Sequence, residues 1–152
     1  SETLAEIAYQ SSKTAEMIGL DPKIAMLSFS TKGSAKGAMV TKVQDATNLV
    51  HQKYPDLVCD GELQFDAAIV PRVGEAKAPG SAVAGHANVF IFPELQSGNI
   101  SYKVAERLGG FSAIGPVLQG LAAPINDLSR GCKTEDVYLL AILTAAKANM
   151  EK

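Results

Sequence analysis

Lys23-Ile-Ala-Met-Leu-Ser-Phe29 is a compact apolar run, and it reads as a strand buried on both faces, as parallel strands are. Ser30-Thr-Lys-Gly-Ser-Ala-Lys-Gly37 follows as a small-residue loop with two lysines. From Met39 to Tyr54 the chain is an amphipathic helix: Val43, Ala46, Leu49 and Val50 share a face, and Pro55 lies just beyond its end. Strand, loop and helix in that order predict an α/β unit. Upstream, Ser1 to Gly19 reads as a helix, with Leu4, Ile7, Ala8, Thr14 and Ile18 at helical spacing and Gly19 as its C-terminal cap. A doubly wound domain usually opens on a strand, so a strand before Ser1 is expected.

Downstream the alternation continues. Leu57-Val-Cys-Asp60 is a short strand, and Gly61 to Val70 reads as turn and short helix. Glu62 and Asp66, four apart, would then share a solvated helix face. Pro71 to Gly85, rich in Pro, Gly, Ala and Lys, reads as an irregular surface segment. Asn88-Val-Phe-Ile-Phe92 is a second buried strand, followed by a helix ending at Gly109-Gly110. Phe111 to Gly115 and Pro124 to Leu128 are further short strands, and Thr134 to Met150 is the last helix. The fold class is α/β, a three-layer sandwich with a mainly parallel sheet and helices on both faces.

Composition narrows the chemistry. The chain has 152 residues, 47% hydrophobic and 20% charged, with a formal net charge of -2, so it can bury a core and shows no basic excess for nucleic acid. Cys59 and Cys132 sit in no CxxC pair and at no ligand spacing to a histidine, so neither a structural zinc nor a disulfide framework is expected. No lipidation signal or long apolar run appears, which sets the expectation of a cytoplasmic protein without membrane contact. His51, near the end of its helix, reads as a surface histidine.

Polar groups gather at one turn. Ser129-Arg-Gly131 precedes a helix starting near Thr134, with Asp136 in its first turn. A guanidinium beside a helix N-terminus reads as a site for phosphate or a phosphorylated ligand. Asp136 is open to two roles, a base or an anchor that only holds Arg130. The loop Ser30–Gly37 has the composition of a phosphate cradle without the GxxxxGK[ST] spacing, and stands equally well as a flexible connection. Arg107, near a helix C-terminus, either complements the helix dipole or faces a ligand. In a parallel sheet, the loops Ser30–Gly37, Pro93–Asn99 and Ser129–Asp136 follow strand ends on one edge, which predicts a common site.

Six motifs resemble one family: Met26-Leu-Ser-Phe-Ser-Thr-Lys-Gly-Ser-Ala35, Asp60-Gly-Glu-Leu-Gln64, Ala87-Asn-Val-Phe-Ile-Phe-Pro-Glu-Leu95, Gly98-Asn-Ile-Ser-Tyr-Lys103, Ile114-Gly-Pro-Val-Leu-Gln-Gly120 and Asn126-Asp-Leu-Ser-Arg-Gly131. The pattern is similar to the phosphate acetyltransferases and phosphate butyryltransferases. The resemblance implies reversible acyl transfer between acetyl phosphate and coenzyme A, in a cleft between two α/β domains. Coenzyme A is then a substrate, no cofactor is bound permanently, no catalytic metal is needed, and a homodimer is expected. By the same resemblance Asp136 matches the base that takes the thiol proton, Arg130 the arginine that binds the phosphate, and Ser129 the hydroxyl at the reacting centre. Arg107 matches an arginine of substrate or coenzyme A binding. Ser30, Thr31, Gly33, Ser34, Asn99 and Lys103 are the expected coenzyme A contacts.

Against the family's length, the chain matches the C-terminal part. Residues 1–116 correspond to most of the second domain, and 117–152 to a closing strand-helix segment that docks on the first. The expectation is a fragment with little turnover by itself. The alternative is a non-catalytic domain that binds coenzyme A or acyl phosphate, or a structural-regulatory one of the kind fused to some malic enzymes.

Overall fold

Ile24–Leu27 (β1) is buried at all four residues, as its apolar run predicts. It pairs in parallel with Cys59–Leu63 (β2) on one side and Val89–Ile91 (β3) on the other, giving a three-stranded sheet of order β2-β1-β3. The structure, a computed structural model, describes residues 1–150. It divides into two units, Ser1–Ser97 and Gly98–Lys152. Among the described residues no helix is long and apolar enough to cross a membrane.

In the first unit, alternation along β1 sends successive side chains to opposite faces. Ile24 and Met26 pack with Leu4, Ala5 and Ala8 of α1 (Glu2–Met17) and with Val43, Ala46 and Val50 of α2 (Ala38–Lys53). Ala25 and Leu27 pack on the other face with Leu63, Ala68, Ala78, Val83 and Ala84. That face is covered by α3 (Phe65–Ile69) and α4 (Pro71–Lys77). Helices on both faces of a parallel sheet make the unit an α/β sandwich of three layers.

Three expectations are corrected in this unit. Gly61–Leu63 is not a turn into a helix but the second half of β2, where Leu63 pairs with Leu27. Glu62 therefore shares no helix face with Asp66; it is 2% exposed within the sheet, whereas Asp66 is exposed in the first turn of α3. Pro71–Gly85 is irregular only after Lys77, and there Ala78, Val83 and Ala84 are buried. Pro71 starts a helix, where its missing N–H costs nothing, and Gly74 lets the chain fold back against itself. A Cβ on Gly74 would lie 2.6 Å from the backbone of Ala84 and Gly85, so only glycine fits without a shift.

The second unit is carried by α5 (Leu95–Gly109), which runs over the sequence boundary, and α6 (Thr134–Met150). Phe111–Gly115 and Pro124–Leu128 form no strands. Among the described residues nothing pairs with them, and an extended segment without a ladder partner is not a strand. Asn126 replaces sheet order with side-chain bonds. Its Oδ1 accepts the Leu118 N–H at 2.8 Å, and its Nδ2 donates to Thr144 Oγ1 at 2.8 Å. Lys147 Nζ donates to Leu118 O at 3.0 Å. These bonds hold the segment after Gly115 to α6.

Candidate functional site

The loop after β1 is closed on itself. Ser30 N–H donates to Ser28 Oγ at 3.2 Å, and Thr31 N–H to Ser34 Oγ at 2.9 Å. Lys32 N–H reaches Glu62 O at 3.1 Å, and Ser34 N–H reaches Thr31 O at 3.1 Å. Gly33 N–H donates to Glu62 Oε1 at 2.7 Å, and Ala35 N–H to Ser30 Oγ at 3.0 Å. Every backbone N–H from Ser30 to Ala35 thus has a protein acceptor. A phosphate cradle presents such groups unmet; here they are met from within the protein, Gly33 N–H by the Glu62 carboxylate. Ser30 Oγ also donates to Glu62 Oε1 at 2.8 Å, and Thr31 Oγ1 donates to Gln64 Oε1 at 3.2 Å. Burial pushes the Glu62 pKa up. The hydrogen bonds from Gly33, its own N–H, Ser30 and Gln44 outweigh that and hold it below the ordinary value.

Beside this loop lies a cleft of about 330 Å3 lined by Lys32, Asp60, Lys77, Ala78, Pro79, Gly80 and Ser81. Lys32 has φ +48°, a left-handed backbone that non-glycine residues rarely take, and its ammonium bonds Asp60 and the Gly61 carbonyl. Gly33, with φ +83°, completes the reversal that returns the loop. Ser81 Oγ donates to Asp60 Oδ2 at 2.5 Å. Burial raises the Asp60 pKa, and the bonds from Lys32, Ser81 and Gly61 N–H more than offset it, so the group sits below the ordinary carboxylate value. Lys77 donates to Gln64 Oε1 at 2.9 Å and to Asp66 Oδ2 at 3.0 Å.

In the second unit the turn before α6 gathers Ser129, Arg130 and Asp136. Ser129 O accepts the Cys132 N–H at 3.0 Å, and Ser129 Oγ accepts the Gly131 N–H at 3.3 Å. Asp136 Oδ2 accepts the Lys133 N–H at 2.7 Å, the bond that a third-position carboxylate makes back to the residue before a helix. Arg130 is exposed, and among the described residues no ion pair joins it to Asp136. Asn99, Lys103 and Arg107 recur every fourth residue on α5, which puts them on one stripe of that helix. Lys103 Nζ lies 4.8 Å from the centre of the Tyr102 ring, and Arg107 is 71% exposed with Glu106 at 3.6 Å.

The expected residues therefore fall into three clusters: Ser30, Thr31, Gly33 and Ser34 in one loop; Asn99, Lys103 and Arg107 on one helix; Ser129, Arg130 and Asp136 in one turn. Glu62, Asp60, Lys77 and Ser81 were not singled out from the sequence as site residues. The signal available was Asp60-Gly-Glu-Leu-Gln64, a charged motif running into a strand, where a carboxylate needs a partner. His51 is exposed and its Nε2 meets Cys59 O at 2.9 Å, consistent with a surface role. Among the described residues no three His, Cys, Asp or Glu side chains cluster as a metal would require.

The chain is similar to known proteins along most of its length. A family model described as Phosphate acetyl/butaryl transferase matches residues 1–145. A phosphate acetyltransferase of Staphylococcus epidermidis is 63% identical over 150 residues, which are 95% of this chain and 46% of that protein. One of Staphylococcus aureus is 62% identical over 152 residues, covering 97% and 46%. The crystal structure of a phosphotransacetylase from Streptococcus pyogenes superposes with a TM-score of 0.95 at 62% identity, over 98% of this chain and 45% of that one. The chain thus spans about half the length of the curated relatives it matches.

Proposed function

We propose, from the premise that this chain belongs to the Phosphate acetyl/butaryl transferase family, that the protein moves an acetyl group reversibly between phosphate and coenzyme A. The observation that carries the reading is the turn of the second unit. It sets a hydroxyl, an exposed guanidinium and a carboxylate with fixed orientation within one stretch, Ser129–Asp136.

In the forward step the thiol of coenzyme A attacks the carbonyl carbon of acetyl phosphate. A free thiol is a weak nucleophile until it loses its proton, and Asp136 accepts that proton. The Lys133 N–H holds one carboxylate oxygen and leaves the other for this task. Negative charge then builds on the carbonyl oxygen and the departing phosphate. Arg130 pairs with the phosphate oxygens, and Ser129 donates at the reacting centre. As the carbon–oxygen bond breaks, phosphate leaves and acetyl-CoA remains. That no ion pair joins Arg130 to Asp136 among the described residues supports this reading over one in which Asp136 only anchors it.

The residues assigned to coenzyme A are, in the second unit, the stripe Asn99, Lys103 and Arg107 and, taken by itself in the first unit, the loop bearing Ser30, Thr31, Gly33 and Ser34. Since the loop's backbone donors already have partners, its share in binding is carried by side chains, chiefly Ser34 and Lys32. Residues 1–116 act as most of one domain, and 117–152 close on the remaining length that the relatives possess. A homodimer working in the cytoplasm completes the proposal; the exposed apolar side chains of α5, Leu95, Ile100, Val104 and Leu108, support association. No resident metal or cofactor is invoked.

The test is formation of acetyl-CoA from acetyl phosphate and coenzyme A, with calorimetric titration of coenzyme A beside it. Loss of turnover in Arg130→Ala and Asp136→Asn, with coenzyme A binding retained in Asp136→Asn, is the expected result. Binding without turnover by this 152-residue chain would assign part of the chemistry to residues beyond it. Neither binding nor turnover would favour a structural role.

A further inference from the structure

We infer that Glu62 is an internal anion that fills the nest of the Ser28–Ala35 loop and thereby fixes Lys32 at the wall of the adjoining cleft. It is a positioning residue, and its effect on coenzyme A rests on the function proposed above.

Five observations support this. Glu62 is 2% exposed yet carries a carboxylate, which is costly to bury unless several donors meet it. The donors come from the loop: Ser30 Oγ at 2.8 Å and Gly33 N–H at 2.7 Å both reach Oε1. The Glu62 carbonyl also takes the Lys32 N–H at 3.1 Å, so one residue grips the loop at positions 30, 32 and 33. Ser30 relays the hold onward by accepting the Ala35 N–H at 3.0 Å. Lys32 sits between these points in a left-handed backbone that is disfavoured for lysine. Such a conformation persists where its surroundings over-determine it, and here Gly33 is bound to the Glu62 carboxylate, Lys32 N–H to the Glu62 carbonyl, and Thr31 to Ser34 and Gln64. The consequence is an ammonium held at the cleft, next to Asp60 and Ser81, rather than one sweeping through solvent.

The experiment reads amide hydrogen exchange at Gly33 and Ala35 and the Kd of coenzyme A, in wild type, Glu62→Ala and Ser30→Ala. Loss of charge-assisted bonds should speed exchange at both amides roughly tenfold to hundredfold in Glu62→Ala, and at Ala35 in Ser30→Ala. Added formate, which can enter the vacated space, should restore protection in Glu62→Ala and leave Ser30→Ala unchanged. Coenzyme A should bind roughly tenfold more weakly to Ser30→Ala, and that loss should vanish in a Lys32→Met background, since the loop acts through Lys32. Should Glu62→Ala not fold, Ser30→Ala and the Lys32 cycle decide alone. Unchanged exchange at Ala35 in Ser30→Ala, or an undiminished loss in the Lys32→Met background, overturns the inference. Wild-type protein that binds no coenzyme A overturns the proposed function instead, and the exchange measurements still judge the loop.

Discussion

The two units hold similar side chains and use them differently. Ser1–Ser97 encloses two apolar clusters on either face of a hydrogen-bonded ladder. Among the described residues of the second unit, Leu140 alone is buried to the same degree, while Leu108 is 85% exposed, Phe111 71% and Tyr138 66%. Apolar content is therefore not what makes a core. In the first unit every apolar strand position has a ladder neighbour and a helix over it, so each buried side chain finds partners. In the second, the same kind of residue lies on extended segments and helices that meet few partners within the described chain.

The largest effect expected from this contrast is on stability. Leu63→Ala empties a fully buried position between β1 and α3 and should cost about 2–5 kcal/mol. Leu108→Ala removes a side chain that lies almost entirely in solvent and should stay within about 0.5 kcal/mol. Urea unfolding of both variants checks the pair. A Leu108→Ala cost equal to that of Leu63→Ala would mean that the second unit is held by contacts unlike those seen here.

Next in size is an effect on rate with none on the first unit. Asp136→Asn keeps an oxygen able to accept the Lys133 N–H but removes the carboxylate proposed above as proton acceptor. A lost general base costs roughly 10²–10⁴-fold in turnover. The urea midpoint of the first unit should not move. Equal activity in Asp136→Asn would reduce the carboxylate to a helix cap.

This division also explains what the residues revealed before the structure did. Lys23–Phe29 announced its strand because burial on both faces leaves a plain apolar signature. The turn Ser129–Asp136 was legible because hydroxyl, guanidinium and carboxylate are local in sequence. Phe111–Gly115 and Pro124–Leu128 looked like strands, since composition reports extended backbone and says nothing about a neighbour to pair with. Glu62 was misread for the opposite reason. Its meaning comes from Ser30 and Gly33, some thirty residues away, and a charge inside β2 has no local pattern that predicts so remote a partner.

A smaller effect should appear at acid pH, in the first unit only. Glu62 and Asp60 both titrate below their ordinary values of 4.5 and 3.8. The unfolded chain then binds more protons than the folded one, so stability rises with pH through that range. The contribution is complete above the ordinary values and is lost as pH falls through the lower, folded ones. Urea midpoints between pH 6 and pH 3 should fall less in Ser30→Ala than in wild type, because one of the bonds that favours ionised Glu62 is gone. An identical fall in both would locate the acid sensitivity elsewhere.

The finest probe of the contrast is a pair of thiols, one in each unit. Cys59 is 7% exposed in β2, and burial, with the neighbouring Asp60 charge, pushes its pKa up to about 12. Cys132 lies exposed in the turn before α6. At pH 8 the reactive form of a thiol is the thiolate, so Cys59 is protected twice, by access and by proton affinity. Iodoacetamide should modify the exposed Cys132 first and leave Cys59 until the first unit opens. Because that opening is a cooperative event of the sheet, the Cys59 rate should follow Leu63→Ala closely, rising with the fraction unfolded. The Cys132 rate should ignore that substitution. If both thiols respond together to Leu63→Ala, the units share one cooperative transition, and the difference between them is one of packing density without independent stability.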